Sequence, residues 1–368
     1  MLSRTFGCVR LVYNKALDVR TAAWRTEHRR ITYPQTSAML TSWKRSDELA
    51  FLNDVAAVPL QQSLRHLQDA FVAYWQGRAR YPQFKAKRRQ HDAAEDTRSA
   101  FRFQDGHLTL VKLRGPLNIR WSRPLPEGSQ PSTMTVSRDP AGRWHVSLRV
   151  VDSTVHSYPR LQTQVGLDVG LTSLVTLSTG KKVTNPRHET RDRPRLAKAQ
   201  RALARKQTGS NNRAKACLRV ARIYAGITDR RRDHLHKLTT RLVRENQTIV
   251  IEDLNVRGMT KNHSLSRAIS DAAWSELRRM LQCKCAWYGR DLVVVDRWLP
   301  SSRTCSSCGH LNDRLALSVR EWVCPSCGSR HDRDVNAARN ILAAGRAVAA
   351  CGAGVRPQRE SSRTGDWP

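Results

Sequence analysis

The sequence predicts a multidomain α/β protein whose N-terminal part differs in kind from its C-terminal part. Three observations carry this prediction. Apolar residues recur at helical spacing up to about residue 95, and then at a spacing of two up to about residue 152. Two apolar strands, around Asp168 and Glu252, then alternate with helical stretches, which is typical of an α/β sheet. Two Cys-x-x-Cys pairs near the C-terminus predict a small inserted metal-binding module.

The helical N-terminal part ends in a basic loop, residues 78–89. Two aromatic residues alternate there with cations, among them Lys85, Lys87 and Arg88. Stacking rings beside phosphate-binding cations are typical of single-stranded nucleic-acid binding. We therefore expect these three side chains to contact nucleic acid. The alternative is a solvated linker whose two aromatic rings lie in the core.

A change of period predicts strands between residues 98 and 152, separated by turn clusters such as Asp105-Gly106. Five short strands in so few residues favour a small β-barrel of the oligonucleotide-binding type. The predicted strands are Ala100–Phe103, His107–Leu113, Leu117–Trp121, Thr133–Ser137 and Trp144–Val151.

A strongly basic stretch, residues 191–232, follows the strand that contains Asp168. It holds 14 Lys or Arg and two Asp, a net charge of +12. Two apolar stripes at helical spacing, with a polar break at residues 208–212, predict two amphipathic helices joined by a turn. Their outer faces are either merely solvated or contact phosphates. The phosphate interpretation gives Arg201, Arg205, Arg219 and Arg222 as contacts.

Four of the nine cysteines stand in metal-ligand spacing. Cys305 and Cys308 form one pair, Cys324 and Cys327 the other, and each pair is followed by Gly. The short gap lets two thiolates face one metal, and Gly permits the tight turn. The pattern predicts a tetrahedral structural Zn²⁺ site without an open position. A redox pair or a chance pattern is the alternative.

Three carboxylates stand out by their context. Asp168 lies inside an apolar strand, Glu252 follows three β-branched residues, and Asp334 begins a helix beside small residues. A carboxylate in a buried element is costly unless it is paired or bound to metal. We therefore expect the three to converge and bind Mg²⁺ or Mn²⁺ for phosphodiester hydrolysis. Helix capping by Asp332 or Asp334, and hydration of Glu252 and Asp253 at their strand end, are the alternatives. The order Asp, Glu, Asp favours a ribonuclease H-like fold with RuvC-type spacing.

The charge of the whole chain, 64 Lys and Arg against 31 Asp and Glu, is +33. This excess favours a polyanionic partner, of which nucleic acid is the usual one. Hydrophobic residues make up 39% of the chain, which argues against a wholly disordered protein. No apolar run is long enough for a membrane span, and no signal peptide is found. We therefore expect no membrane partner, and a cytoplasmic, nucleoid-associated location in a prokaryote.

Together these segments resemble the TnpB family, encoded by bacterial and archaeal insertion sequences and similar to the ancestors of type V CRISPR effector nucleases. The resemblance covers nearly the whole chain. Relatives usually begin with a further strand and helix, so about twenty N-terminal residues are expected to be absent, which affects the barrel and not the three acids. The matching segments are Phe6–Asn14, Tyr81–Lys87, Val165–Leu171, Ile249–Met259, Trp287–Trp298, Pro300–Gly309 and Asp332–Ile341.

The resemblance implies an RNA-guided DNA endonuclease that acts as a monomer with a guide RNA from the transposon end and a double-stranded DNA target. By the same resemblance Asp168, Glu252 and Asp334 are the catalytic Mg²⁺ ligands, and the four cysteines bind Zn²⁺. Asp334 is preferred to Asp332 because the third acid of the family lies two residues before an Asn, here Asn336. A nuclease-inactive RNA-guided or plain DNA-binding protein, acting as a transposition accessory or repressor, is the alternative. A transposase that moves the element lacks a supporting nucleophilic Tyr motif.

The expected domains follow from this resemblance. They are a helical recognition lobe (1–95), a wedge-like β-barrel (96–158), the first part of a RuvC-like domain (159–300, with the basic hairpin 191–232), a zinc ribbon (301–331), the last RuvC-like helix (332–344) and a disordered tail (345–368).

Overall fold

The computed structural model describes residues 1–87, 92–316 and 318–350. Its internal contacts divide the chain into two compact units, Met1–Thr154 and a second that begins at Val155. No helix among the described residues is both long enough and apolar enough to cross a membrane.

The first unit begins with helices, as predicted. Leu60, Leu64 and Leu67 recur on one face of the third helix and are fully buried against Val12 and Leu17 of the first. Thr32 and Gln35 form a capping box that starts the second helix. The helices are α1 (Leu2–Glu27), α2 (Tyr33–Arg45) and α3 (Ala57–Trp75), with a 3₁₀ segment at Asp47–Asp54.

The strands of this unit differ from the predicted barrel. They are β1 (Asp92–Thr97), β2 (Phe101–Gln104), β3 (His107–Leu110), β4 (Thr133–Arg138) and β5 (Trp144–Arg149). Within the described residues they form two separate antiparallel sheets, β1-β4-β5 and the hairpin β2-β3, and no closed five-stranded barrel.

Two strand predictions are wrong for identifiable reasons. The segment 117–121 is not a strand, because Pro116 has no N–H to donate and Leu117 adds a single bond to Leu108. Strand β1 falls mostly within the region, up to about residue 95, that is predicted to be helical, and its sequence contains no β-branched apolar residue that would indicate a strand. Its pairing with β4 and the burial of Ala94 and Asp96 override that local preference.

The second unit is built on a five-stranded sheet in the order β10-β9-β6-β7-β8. Strands β6, β7 and β8 are antiparallel neighbours, whereas β9 and β10 run parallel to β6 on its other side. This is the arrangement expected of a ribonuclease H-like sheet. The strands are β6 (Gln164–Val169), β7 (Ser173–Leu177), β8 (Lys182–Thr184), β9 (Thr248–Glu252) and β10 (Asp291–Val295).

Helices cover the two faces of this sheet, and the alternation of side chains decides which residue meets which helix. Ile249 and Ile251 face a core shared with α5 and α8, whereas Val250 packs with Ile341 of α9. The basic stretch forms two helices, as predicted. The helices are α4 (His188–Ala204), α5 (Asn211–Glu245), α6 (Val256–Met259), α7 (Ser266–Ala272), α8 (Trp274–Tyr288) and α9 (Arg333–Ala350), with a small β11–β12 hairpin (Glu321–Val323 and Arg330–Asp332) before α9.

The last helix is longer than predicted. The prediction ends this helix at residue 344 and begins a disordered tail at Gly345, because the segment that follows is rich in Gly, Arg and Ser, but α9 continues to Ala350. A Cβ at Gly345 would lie 2.4 Å from Val250 Cγ1. Gly345 therefore serves close packing of α9 on β9. Residues 351–368 of the predicted tail lie outside the described residues.

Candidate active site and metal-binding module

Asp168 and Glu252 lie side by side at the carboxyl ends of two parallel strands. Leu167 pairs with Ile251 in the β6–β9 ladder, so the next residues along each strand are these two acids. Side chains two residues apart on a strand lie on the same face of the sheet. Gly166 and Val250 both contact α9, and Asp168 and Glu252 are each two residues further along the same strands. The two carboxylates therefore project from the α9 side of the sheet.

Asp334 reaches the same point from the first turn of α9. The helix crosses β6 in direct backbone contact, because Gly166 has no side chain: a Cβ there would lie 2.2 Å from the Ala338 carbonyl oxygen. Asp334 precedes Ala338 by about one helical turn. The glycine thus brings the start of α9 next to Asp168.

The charges of Asp334 and Glu252 both act on Asp168. Burial, then the charge of Asp334, then that of Glu252 raise the pKa of Asp168 to about 8. Burial, with a contribution from Asp253, raises the pKa of Glu252 to about 7. The charges of Arg333 and Arg320 lower the pKa of Asp168 and so offset the rise only in part. A divalent cation would compensate the remaining negative charge. All three carboxylates are at least partly buried, and carboxylate oxygens are donors of the kind that a hard cation prefers.

Asp332, the neighbouring acid, has a different task. Its Oδ1 accepts the N–H groups of Asp334 (3.1 Å) and Val335 (3.0 Å), which caps α9. Its other oxygen accepts a 2.7 Å bond from Lys182 Nζ. The carboxylate of Asp334 lies 3.8 Å from Lys182 Nζ and 3.4 Å from Arg320 Nη1. The sequence did not single out these two cations, because they come from β8 and from the loop before β11.

The four predicted cysteines come together. Their sulfurs all lie within 4.8 Å of one another. Among the described residues no other group of three or more His, Cys, Asp or Glu side chains meets this spacing, so the ligand atoms of Asp168, Glu252 and Asp334 lie farther apart than the four sulfurs. Two Sγ–Sγ distances are 3.7 Å, Cys305 to Cys327 and Cys308 to Cys324. A tetrahedral ion with Zn–S bonds near 2.3 Å requires an edge of about 3.8 Å. The sulfur cluster therefore has the size of a zinc site.

The two cysteine turns have the same backbone geometry. Gly309 N donates to Cys305 O and Gly328 N to Cys324 O, both at 2.9 Å. Both glycines have positive φ, 79° and 73°, a conformation that favours glycine. His331, to which the Cys-x-x-Cys spacing does not point, places Nε2 3.0 Å from Cys305 Sγ.

Two asparagines of α9 join this module to the carboxylate site. Asn336 Oδ1 accepts Ser306 N (2.9 Å), and its Nδ2 donates to Thr304 O (2.7 Å). Asn340 Nδ2 donates to the carbonyls of Ser301 (2.8 Å) and Thr304 (2.6 Å). The helix that presents Asp334 is therefore fixed to the loop that enters the first cysteine turn.

The predicted nucleic-acid contacts are divided between the two units. Arg219 and Arg222 line an open cavity on the α4–α5 hairpin together with Arg195 and Lys215. Within the described part of the chain, none of these four cations has an ion-pair partner, although Arg193 and Arg230 nearby pair with Glu189 and Asp192. This unpaired cation cluster leaves its charge free for an external anion.

The remaining predicted contacts differ in exposure. Arg201, Arg205 and Lys87 are exposed. Lys85 lies with Nζ 4.0 Å from the centre of the Tyr13 ring, and its backbone is bonded to Asn14. Burial lowers the pKa of Lys85. Arg88 lies outside the described residues.

Comparison with known proteins agrees with this description. Family models match at residues 145–263 (a probable transposase, OrfB of IS605), 274–341 (a Cas12f1-like TNB domain) and 1–29 (a helix-turn-helix domain). A Streptomyces pristinaespiralis protein named "Putative RNA-guided DNA endonuclease" is 64% identical over 364 residues, which cover 99% of this chain and 90% of the relative. InsQ of Escherichia coli K12, named in the same way, is 34% identical over 97% of this chain and 92% of its own.

A solved structure shares the fold. The Cas12f1 chain in a complex with single guide RNA and target DNA superposes with a TM-score of 0.56 at 14% identity, covering 92% of this chain and 81% of its own.

Proposed function

The chain belongs to the TnpB family, and we propose on that premise that it is an RNA-guided DNA endonuclease encoded by an insertion sequence. The observation that carries the proposal is the meeting of Asp168 and Glu252 with the first turn of α9, which contains Asp334. The names of the relatives support the RNA-guided activity, and the presence of guide RNA and target DNA in the Cas12f1 complex supports both partners.

Asp168, Glu252 and Asp334 would hold catalytic Mg²⁺ or Mn²⁺. The bound metal would supply an activated water and stabilise the leaving oxygen of the phosphodiester. Lys182 stays beside the site because Asp332 fixes its ammonium group. Lys182 and Arg320 add positive charge where a DNA phosphate would approach the acids.

The unpaired cation cluster would contact the phosphodiester backbone. Arg219 and Arg222 face the same cavity as Arg195 and Lys215. Like charges three or four residues apart on a helix repel each other, so a nucleic-acid phosphate there would relieve a cost within the protein. Arg201, Arg205 and Lys87 are exposed and remain proposed contacts.

Zn²⁺ bound to the four cysteines would fold the module at residues 301–331 and support the start of α9 through Asn336 and Asn340. In this assignment the first unit comprises the recognition lobe and the wedge, and the second comprises the RuvC-like domain with its zinc ribbon.

The test starts with the protein co-purified with its RNA, which is sequenced and used to design a matching DNA duplex. We expect Mg²⁺-dependent cleavage of that duplex, loss of cleavage in Asp168→Asn, and normal cleavage in Asp291→Asn. Asp291 is the matched control because it is an exposed acid at the opposite end of the same sheet. Cleavage that persists in Asp168→Asn contradicts the site. Absence of bound RNA contradicts the guide, and RNA-directed binding without cleavage identifies the nuclease-inactive alternative.

A further inference from the structure

A tight turn, residues 296–299, follows β10 directly at the edge of the sheet where the acids lie. Val295, the last residue of β10, is the register partner of Glu252. Leu299 N donates to Asp296 O (3.3 Å), and Trp298 N donates to Asp296 Oδ1 (2.7 Å). Trp298 is thus three residues beyond a position that is adjacent to Glu252.

This turn is fixed from two sides. Asp253 N donates to Val295 O at 2.9 Å, and the Asp253 carboxylate forms ion pairs with Arg278 and Arg297. From the inside, Leu299 packs against the apolar cluster that includes Val250 and Val293. The backbone that carries Trp298 is therefore held in place next to the candidate active site.

Among the described residues, the Trp298 side chain itself has no such partner. It is 84% exposed, compared with 59% for Trp287, the next most exposed tryptophan within the described chain. Tryptophan normally covers a large apolar area in a core or an interface. A fixed turn that presents a nearly fully exposed indole beside an active site provides a flat surface for a planar ligand.

We propose that Trp298 stacks on an unpaired base of the DNA strand that enters the carboxylate site, and so positions the scissile phosphate. The inference rests on the proposed function and adds a positioning role for Trp298. It requires a strand that is single-stranded at the cut, since the faces of paired bases are covered by their neighbours. Sequence tolerance is expected because every base offers a π-face. Trp298 is a positioning residue, because the acids perform the chemistry.

The test uses the RNA–protein complex with Mg²⁺ and compares wild type, Trp298→Ala, Trp298→Phe and Trp287→Ala. Trp287 is the matched control, being exposed and located in the last turn of α8, close to the opposite end of β10. Stacking contributes about 5- to 150-fold to affinity per base. Because guide pairing already holds the DNA, loss of the stack lowers the fraction of bound DNA whose scissile phosphate is in place. We expect Trp298→Ala to lower kcat within that range with a smaller change in KM, Trp298→Phe to restore most of the loss, and Trp287→Ala to match wild type.

A second measurement separates stacking from a merely structural role. Abasic nucleotides are placed one at a time around the cut. At one position the abasic DNA should slow the wild type but cause no further loss in Trp298→Ala. At that position 2-aminopurine fluorescence should be quenched by the wild type and by Trp298→Phe, but not by Trp298→Ala.

The outcomes distinguish the two proposals. Equal cleavage by wild type and Trp298→Ala overturns the stacking role and leaves the nuclease intact. The stacking role is also overturned if, at every abasic position, the loss of rate from the abasic nucleotide and the loss from Trp298→Ala are additive. If the wild type cleaves no DNA, the proposed nuclease function fails, and 2-aminopurine quenching still decides whether Trp298 stacks on a bound strand.

Discussion

Adding one methyl group at Gly166 tests the contact that brings Asp334 to Asp168. In Gly166→Ala the new Cβ would lie 2.2 Å from Ala338 O and 2.8 Å from Leu342 N, both backbone atoms of α9. No change of rotamer can relieve a clash with backbone, so helix and strand must separate by about 1 Å to reach ordinary van der Waals contact.

That displacement acts on catalysis more than on stability. Asp334 lies about one turn from Ala338 on the same helix, and Asp168 two residues from Gly166, so a shift of 1 Å moves the acids apart by a similar distance. Misplacement of this size costs about 100-fold in rate. Overpacking destabilises by about 1–3 kcal/mol. We expect Gly166→Ala to fold, to retain zinc, and to cleave matching DNA about 100-fold more slowly in single-turnover assays.

Gly226→Ala is the matched control. Gly226 lies inside α5, and a Cβ there would meet only Arg230 Nη1 at 3.7 Å. Alanine is preferred to glycine in a helix by about 1 kcal/mol, so this variant should be slightly more stable in urea and cleave normally. If Gly166→Ala cleaves at the wild-type rate with an unchanged urea midpoint, α9 does not depend on this contact and the account of the site is wrong.

Three further predictions concern the neighbouring acids Asp332 and Asp334, the zinc module, and the buried Asp96 of β1. Asp334→Asn should abolish cleavage. Asp332→Asn should reduce the free energy of unfolding by at most about 1 kcal/mol and leave measurable cleavage, because asparagine still caps a helix. If Asp332→Asn abolishes cleavage and Asp334→Asn does not, the assignment of the two acids is wrong. Cys308→Ser, or zinc removal by a chelator, should unfold the module and slow cleavage. The measurements are zinc content and cleavage rate. An unchanged near-ultraviolet circular dichroism spectrum after zinc loss would contradict the structural role. Burial, with Glu95, raises the pKa of Asp96 to about 6 from 3.8, so its protonated form is favoured in the folded state, and stability falls as pH rises from about 4 to 6. The free energy of unfolding of Asp96→Asn, measured by urea titration, should therefore rise relative to that of the wild type by up to about 3 kcal/mol between pH 4 and 7. If the two proteins show the same dependence of this free energy on pH, the prediction is wrong.

The local sequence was informative where consecutive residues carry the signal. The spacing of Cys305, Cys308, Cys324 and Cys327 predicted a cluster that the structure brings together. The apolar stripes predicted helices α4 and α5. The apolar contexts of Asp168 and Glu252 pointed to buried carboxylates, whose raised pKa values agree with that expectation. In each case the period or the spacing is a property of one short segment.

Other features depend on partners far along the chain, and only the tertiary structure decided them. Strand β1 exists because β4 pairs with it, although its own residues do not favour a strand. Gly345 lies inside α9 and does not end it, because Val250 packs where a side chain at residue 345 would be. Lys85, which a basic loop suggested as a nucleic-acid contact, lies over Tyr13. Exposure likewise separates Trp298 from the other tryptophans that the structure describes.

The acids show the division most clearly. Sequence supplied Asp332 and Asp334 as equally acidic neighbours, and only a family resemblance chose between them. The structure separates their roles, because one carboxylate oxygen of Asp332 accepts hydrogen bonds from N–H groups of α9 and the other accepts one from Lys182. Asp334 is near enough to raise the pKa of Asp168. Residue types and spacing thus determined which groups were available, while the backbone contact at Gly166, between segments some 170 residues apart, decided which of them meet.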